Sequence, residues 1–77
     1  MTEFLRPREL QTLRYLARGY PPKTITEFLG VSRVATVHVY TSRAVKRLGV
    51  RTSYEAVALV AVQDYRERRG KRRRRNS

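Results

Sequence analysis

Two glycines, Gly30 and Gly49, each follow a stretch with the spacing of one helix face, and this most limits what the chain can fold into. Before Gly30, apolar residues recur at Ile25, Phe28 and Leu29, the i, i+3, i+4 pattern of a helix. Between the glycines, Val37, Thr41, Ala44, Val45 and Leu48 fall on one face of a longer helix. Glycine readily takes the left-handed conformation through which helices exit. Helices are therefore predicted at about 22–29 and 33–48, with Ser32 placed to cap the second by accepting a backbone N–H bond. A short helix, a tight turn and a longer basic helix make a helix-turn-helix, which lays its second helix in the major groove of DNA.

The flanking segments supply the support. Pro7 suits a first helical position, where its missing N–H costs nothing. Around Arg6, itself a poor cap, Leu5 and Leu10 have the spacing of a hydrophobic staple, and Glu9 stands where a capping-box acid belongs. The first helix is predicted at about 7–18, with Leu10, Leu13, Leu16 and Ala17 facing the core and Gly19 ending it. Tyr20-Pro21-Pro22 is an extended connector. Thr52-Ser53-Tyr54-Glu55 is a Thr-x-x-Glu capping box that opens a fourth helix at about 53–65. That helix is apolar almost all round from Ala56 to Val62. One face, Val57, Val60 and Ala61, is expected on the domain. The other, Ala58, Leu59, Val62 and Tyr65, is expected to meet a second subunit, since three short helices cannot wrap it fully. No internal repeat and no strand-like alternation competes with this all-α reading.

Length and charge narrow the function. A chain of 77 residues makes one domain, here 1–65, with a small core. It has no cysteine, which excludes a disulfide staple and a thiolate zinc site. The longest apolar run is seven residues, Ala56 to Val62, where a membrane span needs about 20. The net charge is +12. Residues 66–77 hold eight basic residues and one acid, and form a basic tail expected to be disordered alone and drawn to phosphate near DNA. The remaining residues are basic too, as a polyanion partner requires. One histidine, one aspartate and no phosphate-cradling glycine-rich loop leave no expected enzyme activity, metal site or cofactor.

Taken end to end, the chain resembles the LuxR/GerE-type DNA-binding domain. The matching residues are Leu5-x-Pro7-Arg8-Glu9-Leu10, Leu13-x-x-Leu16-Ala17-x-Gly19, Lys23-x-Ile25 and Leu29-x-Val31-Ser32. They continue with Thr36-Val37, Lys46-x-Leu48-Gly49-Val50 and Ala56-Val57, so the resemblance covers about residues 5–62. It implies a four-helix domain whose third helix meets DNA and whose fourth makes the dimer contact, in a stand-alone regulator of bacterial or phage type. Thr36 stands four positions after Ser32 where the family's spacing is three, so one residue is inserted near the start of the third helix. The family's Lys and His after Thr-Val become His38 and Tyr40, and its Ser-Asn before Lys23 is replaced by Pro21-Pro22. Region 4 of a sigma factor is similar in pattern at Val31-Ser32-Arg33 and Ser42–Leu48.

On this reading Arg33, His38, Val39 and Ser42 are the expected base contacts: Arg33 suits guanine and Val39 a thymine methyl. Phosphate contacts are expected from Lys23, Thr24, Thr36, Tyr40, Arg43, Lys46, Arg47 and Arg51, and from Arg72, Arg73, Arg74 and Arg75 of the tail. The expected function is a homodimeric, sequence-specific, cytoplasmic and nucleoid-associated transcription regulator. One rival is a small interaction protein of the transcription apparatus, with its apolar fourth helix on RNA polymerase or a sigma factor. Another is a sequence-neutral nucleic-acid binder driven by the tail.

Overall fold

The computed structural model describes residues 2–76, and the side chains of residues 2–69. A single 3-10 turn, Thr2–Phe4, precedes four helices: α1 Pro7–Ala17, α2 Pro22–Leu29, α3 Val34–Leu48 and α4 Ser53–Asn76. Among the described residues there is no strand.

The helix ends follow the local chemistry. Gly30 and Gly49 have φ of 70° and 71°. At each, the two amides that follow the helix turn back onto its last carbonyls: Gly30 to Glu27 and Val31 to Thr26, then Gly49 to Lys46 and Val50 to Val45. This pairing is the Schellman exit, and it satisfies carbonyls that the helix leaves open. At the start of α1 the Glu9 carboxylate accepts the Arg6 backbone N–H at 3.1 Å, while Arg6 makes no side-chain cap. At the start of α4 the Glu55 amide donates to Thr52 Oγ1 at 3.2 Å.

Two apolar clusters hold the helices together. Leu5, Leu13, Ala44, Ala56 and Val60 join α1, α3 and α4. Ile25, Leu29 and Val37 join α2 to α3. Leu16 packs against both clusters and makes them continuous. The Arg14 guanidinium adds a two-pronged ion pair to Asp64, with Nε–Oδ2 at 3.0 Å and Nη2–Oδ1 at 3.1 Å, tying α1 to α4.

Several positions differ from expectation. Ser32 is not the cap of α3: Arg33 is, without a side-chain cap bond. Ala17 is exposed, because Glu9, Thr12 and Leu13 define the buried stripe of α1. Phe28 is 49% exposed. It sits at the edge of α2, where Thr26 takes the buried place beside Ile25 and Leu29 and its hydroxyl donates to the Pro22 carbonyl at 2.9 Å. Phe28 rests instead on Tyr15 and Tyr20, with ring centroids 4.9 and 5.0 Å away. On α4 the buried pair is Ala56 and Val60, four residues apart, which turns Ala61 outward. Finally, α4 continues past Tyr65, the end expected for it. The disorder expected of the tail concerns, from residue 70 on, side chains outside the described residues.

Candidate nucleic-acid interface

The α3 helix divides lengthwise. Val37 and Ala44, two turns apart, are sealed at 1% and 0% exposure. Thr36, Tyr40, Thr41, Val45 and Leu48 are half-buried along the margins of that seam. The opposite face carries Ala35, His38, Val39, Ser42, Arg43 and Lys46, all exposed. Helical period alone separates the two sets.

Of the expected base contacts, His38, Val39 and Ser42 share this outer face, and Arg33 stands exposed at the helix entrance. Of the expected phosphate contacts, Arg43 and Lys46 flank the same face. Lys23 is exposed and Thr24 half-buried in the first turn of α2. There the free backbone amides and the helix dipole favour an anion. Arg51 is exposed between α3 and α4. Tyr40 packs on the Ile25, Leu29 and Val37 cluster. Arg72 to Arg75 lie outside the residues whose side chains are described.

Arg47, another of the expected phosphate contacts, has its Nε 2.9 Å from Oε1 of Glu9, and its side chain stays 38% exposed. Glu9 is 1% exposed, so its charge has to be met from within the protein. The pair fixes the last turn of α3 against the first turn of α1. Sequence reasoning gave Glu9 a capping role alone. Its spacing with Leu13 and Leu16 already puts it on the buried stripe of α1, and a carboxylate there needs a cation. Arg8 also serves the scaffold, its guanidinium donating to the Leu29 carbonyl at the end of α2.

The family model of the bacterial regulatory proteins of the LuxR family matches residues 3–60. The chain belongs to the LuxR family. At family level it is therefore a DNA-binding transcription regulator with a helix-turn-helix, formed by α2, the turn at 30–33 and α3. Comparison with curated proteins and with solved structures gave no match. The match begins ahead of α1 and ends on Val60, the last residue of α4 that is buried among the described side chains, so it spans the described core of this LuxR-family domain. Among the described residues no group of His, Cys, Asp and Glu is arranged to hold a metal, and no helix is long and apolar enough to cross a membrane.

Proposed function

We propose that this LuxR-family protein is a sequence-specific transcription regulator that acts in the cytoplasm, on the nucleoid, with α3 in the DNA major groove. The observation that carries the reading is the division of α3: one edge is locked into both clusters, and the other offers His38, Val39, Ser42, Arg43 and Lys46 to solvent. Thr36 borders that face on α3 itself, Lys23 and Thr24 stand in the first turn of α2, and Arg33 and Arg51 lie exposed before and after α3. Phosphate contacts supply most of the affinity and set the register, and the outer face of α3 reads bases.

The protein works as a homodimer through α4. On the side away from the core, Ala58, Val62 and Tyr65 are exposed, with Val62 at 48% and Tyr65 at 59%, and Leu59 is half-buried beside them. Tyr54, at 85%, extends the same stripe by one turn. A second copy covering it would set two recognition helices against the halves of an inverted repeat.

The deciding experiment is the double charge reversal Arg43→Glu with Lys46→Glu, measured on DNA selected from a random pool. Both side chains are exposed, so folding should survive and specific binding should fall by at least two orders of magnitude. Full-strength binding by this variant would end the proposal.

A further inference from the structure

Three aromatic rings from three parts of the chain meet where α1 and α2 join. Tyr20 of the connector stands 6.0 Å from Tyr15 of α1 at 76°, and 5.0 Å from Phe28 of α2 at 86°. Tyr15 and Phe28 are 4.9 Å apart. Tyr15 packs on the Ile25, Leu29 and Val37 cluster and so roots the group in the core. Phe28 and Tyr20 rest on Tyr15 and stay 49% and 39% exposed. The core does not call for Phe28, since Thr26 fills the inward place on α2. Neither tyrosine hydroxyl makes a hydrogen bond among the described residues. Rings held by their neighbours have already lost their freedom, so a partner that covers them gains contact area at small entropic cost.

The charge around the rings selects the partner. Arg8 lies two turns before Tyr15 on the same line of α1, and Arg18 follows three residues after it, so cations flank that ring on both sides. Both are exposed and neither makes an ion pair among the described residues. The acid beside them is Glu27, next to Phe28, which leaves the surround positive in a chain of net charge +12. A crevice between ring edges, flanked by unpaired cations and two phenolic donors, fits a large apolar side chain with carboxylates on either side. A nucleic-acid strand fits it poorly. Successive bases stack on ring faces laid out along the strand, and these rings stand at 76° and 86° to one another. We infer that Tyr15, Tyr20 and Phe28 dock an acidic segment of a partner protein, whose leucine or aromatic side chain enters between Tyr20 and Phe28 while its carboxylates meet Arg8 and Arg18. The crevice belongs to α1, the connector and the end of α2, and not to the outer face of α3 or the outward stripe of α4. The chain can therefore hold this segment and duplex DNA together, and bring an acidic protein to its site.

The test selects peptides from a displayed random library against the full chain, with excess random-sequence duplex DNA present to occupy the cations of α3. The enriched peptides should carry Leu, Phe or Trp between Asp or Glu. One of them is then synthesised, and its binding is measured by fluorescence anisotropy. Phe28→Ser and Arg18→Glu should each weaken it about tenfold or more, the loss of a central anchor. Phe28→Leu, which keeps an apolar side chain there, should retain most of the affinity. Circular dichroism verifies that the variants are folded. Arg43→Glu with Lys46→Glu should bind the peptide as the parent does while losing DNA, so this inference and the reading of α3 fail separately. Enrichment of no acidic peptide over a bare surface overturns the docking site. So does a peptide that binds Phe28→Ser at parental strength. Displacement of the peptide by single-stranded oligodeoxythymidine whose own binding needs Phe28 also overturns it, and assigns the rings to nucleic acid.

Discussion

Arg47 Nε sits 2.9 Å from Glu9 Oε1, and this contact joins the end of the recognition helix to the beginning of α1 across 38 residues of chain. The Glu9 carboxylate also accepts the Arg6 amide, so one buried acid serves a helix start and a helix end at once. It constrains the tilt at which α3 leaves the core, and so the angle at which its outer face is presented.

Glu9→Ala should be among the most damaging single changes outside the apolar core. Breaking a buried ion pair from one side costs about 3–5 kcal/mol. Here the Arg47 side chain keeps 38% exposure and can recover water. A loss of about 2 kcal/mol is expected, read as a shift in urea midpoint at constant slope. Arg47→Ala should cost as much or more, because it leaves the buried carboxylate without its countercharge. A midpoint unmoved in both variants would show that the pair does not hold the helices.

At Gly30 the φ of 70° is the controlling fact, since a Cβ added there would meet nothing within 4 Å. Gly30→Ala should therefore cost only the left-handed backbone penalty, about 1–2 kcal/mol. Gly30→Asn should cost less, because asparagine tolerates that region better. Thermal unfolding of the two variants gives the ranking, and equal midpoints would contradict it.

Val62→Glu with Tyr65→Glu places two charges on the outward stripe of α4 and touches no buried residue. Sedimentation should convert a dimer of the parent protein to a monomer, with binding to a two-half-site DNA weakened far more than binding to a single half-site. A parent protein that sediments as a monomer while binding RNA polymerase would favour the interaction-protein reading instead.

Truncation after Gly70 removes five positive charges, Lys71 and Arg72 to Arg75. If these contact phosphate, the slope of log affinity against log salt should become shallower by about 4–5. An unchanged slope would remove the tail from the DNA interface.

Much of this fold is written in short-range pattern. Gly30, Gly49, Pro7, Pro22 and Thr52 mark where helices start or stop through backbone chemistry that needs no distant partner. Periodicity likewise put Val37 and Ala44 inside and Val39 and Ser42 outside, which is most of the division on which the candidate interface depends. The errors cluster where a face is shared. Ala17, Phe28 and Ala61 are apolar and helical in phase, but each lies at the margin of its stripe, and Glu9, Thr12, Thr26 and Ala56 fill the buried places instead. Hydrophobicity could not rank them, because polar Glu9 and Thr26 are accepted once a partner 38 residues away or a carbonyl one turn back meets their hydrogen-bonding groups.

The sequence alone thus determined the glycine-ended helix exits, the two faces of α3 and the family, since each depends on residues within a turn or two of one another. Tertiary structure decided which cation is free. Arg43 and Arg47 are one helical turn apart and alike in chemistry, yet Arg43 faces solvent and Arg47 meets Glu9. Only the packing of α1 against α3 brings a buried carboxylate to one and not the other, and no local pattern encodes that approach.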